Sequence, residues 1–207
     1  MPDSTTLLLF LAAALVLALS PGPGMLYVAA RSMAAGRRAG VLSSLGTGVG
    51  GLAHVLAGAL GVSALVLASA ELFTLLKLAG ALYLLWLGWR TFRNAGEEQE
   101  LVLGRAGRPF REGVLVEALN PKTAAFFLAF LPQFVSAEAG SVLVQFAVLG
   151  TLCVVLNTGV DLLVALLAER LRQGLLDWPG MLRRLRQGSG AALAALGLGV
   201  LLFRRPA

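Results

Sequence analysis

The stretch SPGPGM, Ser20 to Met25, places two prolines and two glycines inside an apolar run that extends from Thr5 to about Ala30. In a water-soluble chain such a cluster marks a turn between two elements. Here the flanks are too apolar for water. Inside a bilayer, freed backbone N–H and C=O groups persist only where protein buries them or where they line a cavity. A helix broken at membrane depth is therefore a candidate binding site.

Composition agrees with a membrane setting. The chain is 57% apolar and 14% charged, against about 25% charged in soluble domains, and its mean hydropathy is +0.82. A soluble fold of 207 residues could not hide that much apolar surface. The net charge of +6 would suit nucleic acid, but the basic residues sit in short segments between apolar runs, so no nucleic-acid partner is expected. Cys153 is the single cysteine, which excludes an internal disulfide and a two-cysteine redox mechanism. One histidine makes no metal cluster, no serine lies in a nucleophile elbow, and no strand precedes the glycine runs around Gly46–Gly51. No enzyme, metal or cofactor is expected. Thr5 to Leu19 has the length of a secretory h-region, but no Lys or Arg precedes it and the apolar run resumes beyond Pro21. It is expected to be a retained transmembrane helix.

Six spans fit, at about Thr5–Ala30, Val41–Ser69, Leu72–Phe92, Gly113–Val135, Val142–Leu167 and Gly188–Phe203, each near the roughly 20 residues a bilayer core requires. The expected fold is all-α, a single transmembrane domain. Residues 1–92 form a first half, 93–112 a cytoplasmic loop and 113–207 a second half. Arg170 to Gln187 mixes apolar residues such as Trp178 with Arg183, Arg184 and Arg186, and suggests a segment lying at the membrane surface. Arginines concentrate on one side: Arg31, Arg37 and Arg38, then Arg90, Arg93, Arg105, Arg108 and Arg111, then Arg170, Arg172, Arg183, Arg184 and Arg186. Arg204 and Arg205 oppose that bias. The positive-inside rule makes the arginine-rich side cytoplasmic and both termini periplasmic, with Trp86 and Trp89 as interfacial residues. Three spans per half give the halves opposite topology. The first helix of each half carries the breaker, SPGPGM in the first and NPK, Asn120 to Lys122, in the fourth. Interrupted spans at matching positions of inverted repeats point to a transporter site.

Few polar residues lie within the spans. Lys122 sits roughly ten residues into span four, about 15 Å deep at ~1.5 Å per residue, where a lone charge costs at least about 2.5–3.5 kcal/mol. It either binds an anionic substrate group or exchangeable carboxylate, or it braces the break or snorkels to the cytoplasmic surface. Gly46, Gly50, His54 and Gly58 share a face of span two, so His54 points into the bundle, as a proton relay or as a group satisfied by one interhelical hydrogen bond. Asn157 and Asp161 lie one turn apart on span five. Asp161 suits proton coupling or a structural ion pair, for instance with Lys122, and Glu117 could serve the coupling role. Lys77 is expected to snorkel outward. The small residues Gly190, Ala194 and Gly197 of span six would serve packing or a homodimer contact.

Together, SPGPGM, GRRAG (Gly36–Gly40), KLAGALYLLWLGW (Lys77–Trp89) and LNPKTAAFFLAFLPQF (Leu119–Phe134) resemble the LysE/RhtB family of bacterial amino-acid exporters, in the same order across nearly the whole chain. The resemblance covers Pro21, Gly22, Pro23, Gly46, His54, Lys77, Gly80, Tyr83, Leu84, Gly88, Asn120, Pro121, Lys122, Pro132, Gln133 and Phe134. It implies a multi-pass inner-membrane exporter of amino acids or close derivatives, driven by proton exchange, without a prosthetic group. Two positions depart from the pattern: Asn157 stands where many members carry an acid, and Glu117 where Asn is common. The expected substrate site comprises Pro21, Gly22, Pro23, Gly24, Gly46, Gly50, Asn120, Pro121, Lys122 and Asn157. Asp161, with His54 and Glu117 as alternates, would carry the coupling proton. The N–H groups around Gly22–Met25 would hold the substrate carboxylate, and Asn120, Asp161 or an unwound carbonyl its amino group. The partners are then the amino acid and membrane lipid. The rival readings are export of another small solute or a metal cation, and a non-transporting membrane scaffold.

Overall fold

The computed structural model describes residues 4–96, 107–136, 138–177 and 180–202. Among these every element is helical: α1 (Ser4–Leu19), α2 (Pro23–Ala68), α3 (Ala70–Arg93), α4 (Pro109–Ala118), α5 (Pro121–Ala125), α6 (Val142–Asp177) and α7 (Met181–Leu202). A π-helical turn, Phe126–Phe130, and a 3-10 turn, Leu131–Phe134, extend α5.

Both expected breaks are present. α1 stops at Leu19, and α2 begins at Pro23, whose missing N–H costs nothing in a first helical turn. The second break falls between Ala118 and Pro121 and bends the chain by 41°. Asn120 Oδ1 caps the outgoing helix by accepting the Lys122 N–H at 3.0 Å. NPK is thus a helix start set inside an apolar bent pair: a cap, a proline at N1, then the lysine.

Four helical segments are long and apolar enough to cross a bilayer, Pro23–Ala64, Glu71–Arg93, Val142–Ala168 and Arg183–Leu202, and the bent pair Pro109–Ala118 with Pro121–Phe134 makes a fifth. α1 is an apolar helix of 16 residues. Residues expected in one span, Thr5–Ala30, are divided by the first break, and those beyond it join α2. α2 has 46 residues, about 69 Å at ~1.5 Å each, more than twice a ~30 Å hydrocarbon core. It is not one straight span. Gly36, at φ 80 and ψ 174, separates the limbs 23–35 and 37–68 in a conformation that other residues rarely adopt.

Three boundaries differ from expectation. Pro109 opens α4 inside the stretch read as loop, because proline is well placed at a first helical turn. α6 continues past Leu167 to Asp177, and α7 begins at Met181, ahead of Gly188. Arg170–Asp177 and Met181–Gln187 are therefore helical, as the end of α6 and the start of α7. Asp3, Arg105, Trp178, Arg204 and Arg205 lie outside the described residues.

The core gathers Phe10, Ala14, Leu17, Val55, Leu84, Phe126, Phe127, Leu131, Phe146 and Leu149 at the centre of the molecule. Exposed leucines and aromatics cover the outside, including Leu72, Leu75, Leu82, Trp86 and Trp89 on α3. A multi-pass membrane protein accounts for that inversion. Glycine lets pairs of helices touch along their backbones. A Cβ added at Gly46 or Gly50 would strike the Phe110 or Val114 carbonyl of α4. One added at Gly88 would lie 2.6 Å from the Gly190 carbonyl and the Ala194 nitrogen of α7. The small-residue face Gly190, Ala194 and Gly197 is thus used inside the chain, against α3. Gly58 departs from the shared face expected on α2, since its added Cβ would meet the ring of Phe146 on α6.

Candidate functional site

The two breaks lie against each other, and each supplies what the other lacks. A helix C-terminus leaves carbonyls without intrahelical donors and carries partial negative charge, while an N-terminus carries partial positive charge. Lys122 Nζ donates to the carbonyls of Leu17 at 3.1 Å and Ser20 at 2.8 Å. The ammonium therefore covers the C-terminal end of α1. It packs so closely on Gly22 that a Cβ there would meet Lys122 Cε at 2.9 Å. Across the break, a Cβ at Gly24 would collide with Glu117 Oε2, so the Glu117 carboxyl lies at the first turn of α2. Cation and acid of the second break thus face the negative and positive ends of the first.

Glu117 is 2% exposed and fully engaged. Oε2 accepts from Asn120 Nδ2 at 2.9 Å, and Oε1 accepts from Thr123 Oγ1 at 2.6 Å. Its backbone carbonyl has lost the helical donor four residues on, because that residue is Pro121. The Asn120 N–H takes one lone pair at 3.0 Å, and His54 Nε2 donates to the same oxygen at 2.8 Å. His54 points into the bundle as expected, and it clamps the break.

Asp161 is 1% exposed and accepts from Thr47 Oγ1 at 2.9 Å. Thr47 Oγ1 also lies 2.8 Å from the Ser44 carbonyl. A hydroxyl has one proton and here faces two acceptors. A proton on Asp161 would complete the chain, with Asp161 donating to Thr47 and Thr47 donating to Ser44. The ion pair of Asp161 with Lys122, one of the two readings the sequence offered, is not formed; Arg31 and Glu112 do pair, at 2.8 Å.

Two cavities share the breaks as walls. The smaller, about 10 Å³, has room for about one water and is lined by Glu117, Thr47, Thr123, Asn157, Thr158 and Cys153 among others. Glu117 and Thr47 both line it, and Asp161 is reached from it only through its hydrogen bond with Thr47. The larger, about 270 Å³, is lined by Pro21, Gly22, Pro23, Pro121 and Lys122, and by Arg90, Asn94 and Arg186 on α3, its C-terminal turn and α7.

The structure thus brings together Pro21, Gly22, Pro23, Gly24, Asn120, Pro121, Lys122 and Glu117, with His54 behind the break, Asn157 at the small cavity and Asp161 behind Thr47. Gly46 and Gly50 lie against the α4 backbone and line neither cavity. Sequence reading did not find Thr47, Thr123, Arg90 or Arg186. Thr123 directly follows NPK and was open to notice; the others carry no local signal. A buried cluster at the other end of α4 also went unread: Arg31 Nη2 and Tyr27 Oη both donate to Glu112 Oε2, at 2.8 and 2.9 Å, tying the first limb of α2 to the start of α4. Among the described residues no three His, Cys, Asp or Glu side chains converge as metal ligands would.

The profile of the LysE type translocator family matches residues 15–204. A homoserine/homoserine lactone efflux protein of Salmonella typhimurium is 31% identical over 191 residues, covering 91% of this chain and 92% of that one. The corresponding Salmonella typhi protein is 30% identical over the same coverage. An uncharacterized membrane protein of Vibrio cholerae is 31% identical over 203 residues, 94% of this chain and 95% of its own. No solved structure matches the chain. With the crossed breaks in place and a family match along nearly its whole length, the chain belongs to the LysE type translocators and is a membrane transporter, not an enzyme.

Proposed function

We propose that this protein exports amino acids or close derivatives across the bacterial inner membrane by proton antiport. The observation that carries the reading is the Lys122 ammonium held between two breaks, at the wall of a 270 Å³ cavity. An ammonium has three N–H donors, and two carbonyls use two of them. The third is available to a substrate carboxylate, whose arrival would compete with the Leu17 and Ser20 carbonyls for the same cation. Binding would then loosen the contact between the breaks. Substrate recognition and helix rearrangement are one event in this scheme.

The coupling protons belong to Asp161 and Glu117. Both are buried and hydrogen-bonded to hydroxyls, and a single water in the small cavity would connect the Glu117 carboxyl to Thr47 and, through the Thr47 hydroxyl, to Asp161. Asn157 would orient that water or the substrate amino group. His54, committed to the Glu117 carbonyl, positions the break rather than carrying the proton. Six passes arranged as two inverted halves suit this scheme, with α1 and the first limb of α2 as the broken first pass. Both termini then face the periplasm and the arginine-rich ends the cytoplasm. The printed activity of the Salmonella relatives, homoserine and homoserine lactone efflux, supports a small amino acid or its derivative as cargo.

The test is resistance and efflux. Cells with and without the protein are challenged with a panel of amino acids and derivatives, and release of labelled solute is followed. Faster release of at least one amino acid, abolished in Lys122→Met, is the expected result. Equal release from both cell lines for every solute would overturn the reading.

A further inference from the structure

The first limb of α2 is a rod with glycine at each end. At its inner end Gly22 and Gly24 pack on Lys122 and Glu117. At its outer end Gly36, at φ 80, turns the chain back on itself. A Cβ at Gly40 would strike Ser32 Oγ, whereas those two residues would lie about 12 Å apart along a straight helix. Between its ends the rod runs antiparallel along α4. Gly24 meets Glu117, Val116 packs on Tyr27 and Val28, and Tyr27 and Arg31 reach Glu112. The outermost contact of this seam is polar. Arg31 Nη2 and Tyr27 Oη converge on Glu112 Oε2, Tyr27 Oη also lies 3.1 Å from the Pro109 carbonyl, and Arg31 Nε donates to Tyr27 Oη at 3.3 Å. It closes the seam at the end where Arg37, Arg38, Arg108 and Arg111 follow or precede it in sequence. Deeper in the same seam Glu117 shares the wall of the small cavity with Cys153.

We propose that Tyr27, Arg31 and Glu112 form a gate latch: closed, it holds the limb 23–35 on α4 and seals Glu117 from the arginine-rich side; opened, it frees the limb to pivot about its terminal glycines. Its closure is read from contacts alone, and its part in transport rests on the export reading. Stability by itself gives little reason for ions at this seam, because apolar side chains of similar volume often hold such a contact as well or better. Ions add a contact that water can replace on both sides. The Arg31 side chain is 7% exposed and that of Glu112 29%, so water already reaches the acid and hydration of the pair can start there. Once the outer end parts, the deep contact is only Gly24 against Glu117, with no side chain on the glycine to hold it. Tyr27, Arg31 and Glu112 are thus positioning residues that set when the buried acid meets water.

Cys153, the single cysteine and 2% exposed, is a built-in reporter of opening. The purified full chain in liposomes is treated with N-ethylmaleimide, alkylation is followed by intact mass, and the rate tracks the population of the open seam. Glu112→Gln keeps the shape and removes the charge from two hydrogen bonds, so alkylation should quicken roughly tenfold. Tyr27→Phe should quicken it several-fold, and it is the variant to read if Glu112→Gln loses its melting transition. The apolar pair Arg31→Met with Glu112→Leu separates a latch from a brace. It should keep the melting temperature and slow alkylation, yet release several-fold less of whichever amino acid wild-type cells release fastest. Unchanged alkylation in both Glu112→Gln and Tyr27→Phe would overturn the seal. Wild-type release by the apolar pair would overturn the latch and leave a brace. No release by wild-type cells would overturn the export reading and the latch's part in it, while the alkylation ratios would still decide the seal.

Discussion

The ammonium of Lys122 donates to the carbonyl of Ser20 at 2.8 Å, so the second helix break closes over the first across 102 residues of chain. A buried cation in lipid needs acceptors, and a broken helix needs donors for its last carbonyls. Each cost is met by the other. The site and the scaffold are therefore the same contact, and substitutions there should affect transport before they affect membrane insertion.

Lys122→Met removes the cation and leaves the Leu17 and Ser20 carbonyls without their side-chain donor. Each lost charge-assisted hydrogen bond is worth about 1.5–3 kcal/mol, so export should fall at least about tenfold while the protein still reaches the membrane fraction. Lys122→Arg should also be impaired, because the ammonium packs on Gly22 as a compact point charge and a larger planar guanidinium would have to leave the Leu17 and Ser20 carbonyls to fit. Flux and membrane-fraction immunoblots on the same cells measure both. Full export by Lys122→Met would contradict the role assigned to the cation.

Asp161→Asn keeps shape and removes the exchangeable proton. Antiport requires inward protons for outward solute, so the wild type should export faster when the receiving side is made acidic. In Asp161→Asn that acceleration should vanish while solute exchange at equal pH persists. Thr47→Val, which deletes the hydroxyl 2.9 Å from Asp161, should weaken it. An undiminished response to the gradient in Asp161→Asn would move the coupling elsewhere, with Glu117→Gln as the next variant.

His54→Gln separates a clamp from a proton carrier. Glutamine can still donate to the Glu117 carbonyl and does not titrate. Gradient-driven export should survive in His54→Gln and fall in His54→Leu, which leaves a buried carbonyl short of a donor at a cost of about 1–3 kcal/mol. Loss of the gradient response in the glutamine variant alone would restore His54 to the proton path.

Gly50→Ala forces a methyl onto the Val114 carbonyl, whereas Gly61→Ala meets nothing within 4 Å. Overpacking costs about 1–3 kcal/mol. The melting temperature in detergent should drop for Gly50→Ala and stay near the wild-type value for Gly61→Ala. Gly36→Ala should also lose stability, at roughly 1 kcal/mol, because φ is 80 there.

Much of this molecule is local chemistry and was legible in the residues. Proline lacks an N–H wherever it sits, so SPGPGM and NPK had to interrupt their helices. Long apolar runs had to become helices in lipid, and a chain this poor in charge had to be a membrane protein. The spacing of His54 on a glycine face had to turn it inward. Other features depend on how helices cross. The acceptors of Lys122 are backbone carbonyls, which no residue type announces. Asp161 was as plausible a partner for that lysine as for the Thr47 it actually meets. The small residues of α7 could have faced another subunit, and only packing against α3 assigned them inward. Arg90 and Arg186 reach one cavity because α3 and α7 lie side by side near the breaks. Sequence determined where the chain must break and what must be buried; the tertiary structure decided which orphaned groups satisfy one another, because that depends on distances between helices far apart in the chain.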